Sequence, residues 1–297
     1  PLPSSLLMVG VTARAAGVKD IVVCTPPQKD GISPALLYVA AKLGITEICL
    51  AGGAQAIASM AYGLPGRMRK ADMICGPGNV YVAAAKQIVS SQGLVKVDLV
   101  AGPSEVLIIA DGTARSDYVA ADMIAQAEHG VNSPAVLITV SERLAKEVSS
   151  ELEKQLGRLK QRDAAEKSLR EYGAIVIAES MRQAVEIANE YAPEHLEVLA
   201  EDPERISAAV RNAGAVFVNT CESFADYGMS GGNHVLPTGG TAKFLSGLSV
   251  YDFLVRTYVE VMSDEEQRKL SEAAGVFADI EGLEGHSNAA RLRGRMK

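Results

Sequence analysis

The sequence predicts an α/β protein: two Rossmann-like, doubly wound parallel-sheet domains followed by a small helical C-terminal extension. Three observations carry this prediction. Short β-branched runs alternate with amphipathic helices over most of the chain, glycine-rich turns follow several of those runs, and 297 residues suffice for two ordinary domains. Repeated strand, Gly-rich turn and helix units imply parallel strands, because a crossover helix is what joins neighbours that run in the same direction.

The chain opens on Pro1 to Ser5 without a Met and passes straight into a helix-like stretch, Leu6 to Ala16, an opening that suggests residues missing upstream. Asp20 to Cys24 is a strand, stopped by Pro26-Pro27. Ser33-Pro34 offers an N-cap followed by proline at the first helical position, and that helix runs to Gly44. Glu47 to Ala51 is the next strand, then Gly52-Gly53 and a helix over Ala54 to Gly63. Asp72 to Cys75 is a third, then Gly76-Pro77-Gly78-Asn79 and a helix over Val80 to Ser91. Gly102-Pro103 marks a boundary, which gives a first domain of residues 1–104.

A second series follows over 105–248. It comprises strand Val106 to Ala110, helix 116–129, strand Ala135 to Val140, and a long charged helical segment, 141–172, expected as a solvated surface element. Strand Ala174 to Ala178, helix Met181 to Glu190, the break Tyr191-Ala192-Pro193-Glu194-His195, helix 203–213 and strand Ala215 to Asn219 complete it. Residues 221–247 form a long loop whose Phe224, Tyr227, Val235, Leu236 and Phe244 argue for order. The extension, 249–297, contains a β-like run from Val250 to Met262, a capping box at Ser263 to Glu266 that opens a helix to about Ala278, and a basic tail with Arg291, Arg293 and Arg295.

A net charge of −7 without a basic stripe argues against a nucleic-acid partner. No apolar stretch reaches the length of a membrane span. Cys24, Cys49, Cys75 and Cys221 show no CxxC pairing and suit reduced residues of a cytoplasmic protein.

The chemistry-bearing residues begin with Gln126-Ala127-Glu128-His129-Gly130, where Gln126 and His129 share one helix face. They could hold a metal, or they are a polar helix end with a satisfied histidine. The chain has only four histidines, His129, His195, His234 and His286, each in a run rich in Gly, Asn, Pro, Glu or Asp. Gln126, His129, Asp226 and His286 together offer two imidazole nitrogens and two oxygens, a donor set that suits zinc or a similar divalent ion that can expand beyond four ligands. Glu194 and His195 are two proton carriers usable near neutral pH, or an exposed Glu beside a capping histidine. Ser104 follows Gly-Pro rather than sitting in a GxSxG elbow and is better placed to donate a hydrogen bond. Gln55 and Asn79 each lie just past a strand end, where doubly wound sheets bind ligands; neither turn matches GxGxxG, and tight βα turns would need the same glycines. Glu281 completes the candidate set.

Six blocks then occur in order: Ala51-Gly52-Gly53-Ala54-Gln55-Ala56-Ile57, Gly76-Pro77-Gly78-Asn79, Ala101-Gly102-Pro103-Ser104-Glu105-Val106, Gln126-Ala127-Glu128-His129-Gly130, Ala192-Pro193-Glu194-His195-Leu196 and Asn233-His234-Val235-Leu236-Pro237-Thr238-Gly239-Gly240. Together they resemble the L-histidinol dehydrogenase family over essentially the whole chain, without the family's N-terminal portion. The resemblance implies a zinc enzyme, with one Zn2+ per subunit, that oxidises L-histidinol to L-histidine in two NAD-dependent hydride transfers through an aldehyde and its hydrate. It implies zinc ligands at Gln126, His129, Asp226 and His286, and an acid/base pair at Glu194 and His195. Substrate contacts would come from Ser104, His234 and Glu281 together with the zinc-site residues and His195, and NAD contacts from Gln55 and Asn79. It further implies a domain-swapped homodimer in which His286 acts in trans. Two other readings remain at this point: a truncated form that binds zinc and histidinol with impaired use of NAD, and a zinc hydrolase in which Glu194 activates water.

Overall fold

Every strand-to-strand ladder among the described residues is parallel, as the repeated strand and helix units require. The computed structural model describes residues 2–99, 102–219 and 231–295. Two compact units divide the chain, Pro1–Leu254 and Val255–Lys297.

The first part of the larger unit carries helices α1 (Pro3–Ala15), α2 (Pro34–Lys42), α3 (Gly53–Tyr62) and α4 (Val80–Ser91). Its strands are short and pair as two separate ladders, β1 (Val22–Cys24) with β2 (Glu47–Cys49) and β3 (Met73–Ile74) with β4 (Lys96–Val97). The sequence gives no sign of β4, because two residues are too few to show a period. Ile57, Ala61, Ile74, Val89 and Val95 form the core between these helices and strands. Proline at the start of α2 is as expected, but the Ser33 side chain makes no capping bond.

The second part is a five-stranded sheet in the order β7-β6-β5-β8-β9, built from β5 (Val106–Ala110), β6 (Ala135–Thr139), β7 (Ala174–Ile177), β8 (His195–Leu199) and β9 (Ala215–Val218). The order reverses between β5 and β8, which is the switch point of a doubly wound fold. All five residues of β5 are 0% exposed. Val106, Ile108 and Ala110 face a cluster with Val119, Ala120 and Met123 of α5 (Ser116–Ala127) and Leu144 and Val148 of α6 (Glu142–Leu156). Leu107 and Ile109 face the other way, toward Ala184, Val185 and Ala188 of α8 (Met181–Tyr191) and Leu196 and Val198 of β8. Alternation between two covered faces is why this strand reads as an unbroken apolar run. At about 1.5–3 kcal/mol for each large side chain, these two clusters are the main stabilisation of the unit.

Four expectations are corrected. The charged segment 141–172 is two helices, α6 and α7 (Asp163–Tyr172), and neither is merely solvated: α6 turns Leu144, Ala145 and Val148 inward, and α7 buries Ala165 and Ser168. The charges occupy the outer faces only. The segment after Glu194 is a central strand, β8, which sequence reading passed over because Glu197 interrupts a short apolar run. Helix 203–213 is shorter, α9 (Pro203–Ala208). The β-like run 250–262 is a 3-10 turn, Val250–Phe253, followed by irregular chain; Val255, Tyr258 and Val261 are exposed, and β-branched residues without a partner ladder do not make a strand.

The smaller unit is a helical pair, α10 (Asp264–Ile280) and α11 (Glu284–Gly294). The capping box is present: the Ser263 hydroxyl accepts from the Glu266 N–H, and the Glu266 carboxylate accepts from the Ser263 N–H at 2.9 Å. Arg291 of α11 binds Asp279 of α10 at 2.8 Å, and what sequence reading took as a basic tail is helical.

Candidate active site

The site is built at the amino ends of β5 and β8. Helix α8 ends at Tyr191, and Ala192 takes a left-handed conformation (φ 54°) that turns the chain back into the sheet. Pairing of Val106 with His195 then sets Glu194 beside Glu105. Sequence reading expected ligands at carboxyl ends of strands. Gln55 and Asn79 are there, past β2 and β3, but the proton carriers lie at the opposite edge of the second sheet.

Glu194 and His195 are only 5% and 6% exposed, so the reading of an exposed Glu beside a capping histidine is set aside. The Glu105 N–H donates to Glu194 Oε2 at 3.1 Å, and the Ser104 hydroxyl also bonds the carboxylate. His195 Nδ1 lies 3.3 Å from the Glu105 carbonyl oxygen and 3.6 Å from Glu194 Oε2. A carbonyl can only accept, so this contact assigns the proton to Nδ1 and leaves Nε2 with its lone pair. His234 Nδ1 is 3.2 Å from that Nε2, and the Phe217 ring packs against both imidazoles with centroids 6.0 and 5.5 Å away.

Burial dominates the titration of the pair. It pushes Glu194 up to about 8, with the Glu105 N–H and Ser104 opposing and the Glu105 carboxylate adding to the rise. It pushes His195 down to about 3, helped by His234 and His129 and opposed by the Glu105 carbonyl. At neutral pH the imidazole is therefore neutral and the carboxyl group largely protonated.

The loop carrying His234 is tied at both ends. The Asn233 amide donates to the Met8 carbonyl and the Thr12 hydroxyl of α1 at 3.3 and 3.0 Å. Gly102 N–H donates to Thr238 Oγ1 at 2.6 Å, and Gly239 N–H donates to Glu105 Oε1 at 3.0 Å.

Gln126 lies in the last turn of α5, 0% exposed, and among the described residues neither its Nε2 nor its Oε1 has a hydrogen-bond partner. His129 follows just past the helix end, exposed, with its N–H on the Gln126 carbonyl at 3.2 Å. Asp226 lies outside the described residues. Glu281, at the end of α10, and His286, on α11, belong to the smaller unit and are both exposed. Among the described residues no three His, Cys, Asp or Glu side chains form a metal-holding group.

At the other candidate region Gln55 is exposed in the first turn of α3, after Gly53 at φ 67°. Asn79 caps α4, its Oδ1 accepting from the Tyr81 and Val82 N–H groups at 3.1 and 3.2 Å. Beneath this turn, Lys86 and Asp98 form a buried ion pair at 2.6 Å. Lys86 also donates to the Gly76 carbonyl at 2.6 Å, and Asp98 accepts from the Gly76 N–H at 2.8 Å. Neither this clamp nor Glu105 was identified from sequence. Glu105 stood inside a quoted block without a role, and a lone charge between Ser104 and a strand carries no periodic signal.

Comparison with known proteins gives the family of the chain. The histidinol dehydrogenase family profile matches residues 1–294. The histidinol dehydrogenase of Geobacillus kaustophilus is 48% identical over 294 residues, covering 98% of this chain and 68% of the relative. That of Bacillus subtilis is 46% identical over 296 residues, covering 99% and 68%. The crystal structure of histidinol dehydrogenase from Elizabethkingia anophelis matches with a TM-score of 0.94 at 39% identity, over 99% of this chain and 67% of that one. With the profile spanning nearly every residue and the fold closely shared, this chain belongs to the histidinol dehydrogenase family.

Proposed function

We propose that this chain performs the NAD-dependent four-electron oxidation of L-histidinol to L-histidine through the aldehyde, the last step of histidine biosynthesis. Glu194 and His195 serve as its acid/base pair. The family membership supports the step, and the observation that carries the roles is the buried His195, whose Nδ1 contact with the Glu105 carbonyl leaves Nε2, 3.2 Å from His234 Nδ1, as the basic nitrogen.

The donor set fits zinc. A fully buried amide with neither atom bonded to any described residue is a costly arrangement, on the order of 1–3 kcal/mol, unless a further group takes its oxygen, as a metal ion would. Gln126 and His129 would hold one Zn2+ per subunit together with Asp226 and His286, and Ser104, His234 and Glu281 would contact the substrate. Gln55 and Asn79 would contact NAD, since both stand on glycine turns past strand ends. When bound, zinc supplies Lewis-acid anchorage for the substrate's amine and imidazole nitrogens, and NAD accepts the hydride.

The chain's residues handle the protons. His195 Nε2 takes the alcohol proton as the first hydride leaves, displacing the contact from His234. Glu194, ionised as pH passes about 8, removes a proton from the water that adds to the aldehyde. His195 acts again when the resulting hydrate is oxidised to the carboxylic acid.

This reading assigns 1–104 to NAD binding, 105–248 to zinc and proton transfer, and 249–297 to dimerisation, with the partner's His286 completing the zinc shell. Among the described residues no helix is long and apolar enough to cross a membrane, and a cytoplasmic location suits the proposed biosynthetic step.

The test is NADH formation from L-histidinol with Zn2+ present. Wild type is expected to form two NADH for each histidinol. His195→Asn is expected to lose on the order of 10²–10⁴-fold in kcat, and Glu194→Gln to accumulate the aldehyde. Absence of NADH at high enzyme concentration, or full rates in both variants, would refute the assignment.

A further inference from the structure

Glu105 has no part in the chemistry above, yet it touches both proposed proton carriers. Its N–H holds Glu194 and its carbonyl receives both the N–H and the Nδ1 of His195. Its carboxylate, only 5% exposed, accepts from the Gly239 N–H at 3.0 Å, from the Glu194 and Gly240 N–H groups and from the Tyr191 hydroxyl. Gly239 and Gly240 both have positive φ, 61° and 77°. Their successive N–H groups make a small concave donor set of the kind that fits an anion. His234 lies between this latch and the Asn233 contact with α1.

We propose that Glu105 is a positioning residue: its carboxylate seats the Gly239–Gly240 turn and thereby holds His234 Nδ1 against His195 Nε2. A buried carboxylate is expensive unless several donors meet it, and the donors that do come from the loop bearing His234, from the end of the helix leading into Glu194 and from the Glu194 N–H itself. One side chain therefore fixes both approaches to the proton carriers. A neutral amide offers a single oxygen to four donors and turns an N–H2 group toward at least one of them, so Glu105→Gln unseats the turn with almost no change in volume.

This inference rests on Glu194 and His195 being the acid/base pair, so His195→Asn and Glu194→Gln are assayed beside it. The variants are Glu105→Gln, Glu105→Asp and Tyr191→Phe, in the full chain with Zn2+, by steady-state kinetics and by imidazole ¹⁵N NMR, which four histidines make assignable. Glu105→Gln is expected to lower kcat on the order of ten- to a hundredfold, the loss typical of a displaced reacting group, with the KM for NAD within about twofold. The His234 ring resonances are expected to move, and Glu105→Asp to recover part of kcat. Should Glu105→Gln fail to fold, Tyr191→Phe, which removes one donor without touching strand or loop, is expected to shift the His234 resonances and lower kcat about threefold, the size of one weak hydrogen bond. Unchanged kcat in the folded variant overturns the proposal, as does a lowered kcat with unmoved His234 resonances. If instead His195→Asn and Glu194→Gln keep full activity, the acid/base reading fails, and the His234 shift alone still decides whether Glu105 is the latch.

Discussion

A glutamate held near 8 beside a histidine held near 3 reverses the usual order of these two side chains, and burial is the first cause for both. The consequence for stability has a definite sign. Between 4.5, the ordinary value, and about 8 the native state keeps a proton on Glu194 that the unfolded chain has released, so stability falls as pH rises through that window. His195 acts oppositely between about 3 and 6.5, where the unfolded chain binds the extra proton and stability rises with pH. Above 6.5 only the glutamate effect remains. Glu194→Gln is thus expected to flatten the decline in melting temperature from pH 6.5 to 8.5, and parallel melting curves for variant and wild type would contradict the burial argument. Gln126 gives a second residue-level prediction. Gln126→Leu removes two polar atoms without a hydrogen-bond partner among the described residues and is expected to raise the stability of metal-free protein by about 1–3 kcal/mol while weakening zinc binding, measured by denaturant unfolding and metal titration.

Among the elements, legibility in the sequence tracked length and environment. β5 was plain because five consecutive apolar residues are covered on both faces. β8 was not, since it opens on the two residues that looked most like a loop and carries Glu197 in its middle. Placing the proton carriers at the amino edge depends on the register between Val106 and His195, a contact between residues far apart in the chain that no local pattern encodes. Glu194, His195 and Gln126 could be singled out from the sequence blocks; their burial and their surroundings could not. The Lys86–Asp98 clamp under the turn before α4 is of the same kind. Its side chains are 4% and 2% exposed, so removing one partner leaves a charge stranded. Lys86→Met is expected to cost about 3–5 kcal/mol in urea unfolding, and to raise the KM for NAD through the loosened Gly76 turn.

At the scale of the molecule, the proposed sharing of His286 between subunits has a direct test. Mixing Glu194→Gln with His286→Ala and allowing subunits to re-pair creates hybrids in which one site has every residue intact if His286 acts in trans. About one quarter of wild-type activity is then expected from random pairing, and none if each chain completes its own site. Of the smaller unit, the first helix was readable because the capping box at Ser263 announces it, whereas the second helix, short and rich in Gly and Arg, does not announce itself.

The peptide groups that orient Glu194 and His195 also belong to the ladder between the two central strands: His195 N–H and Nδ1 share one carbonyl, that of Glu105. The geometry of the proposed acid/base pair is therefore welded to the fully buried centre of the second sheet. Amide exchange at His195 should be among the slowest in the chain, and loss of turnover during heating should coincide with global melting instead of preceding it.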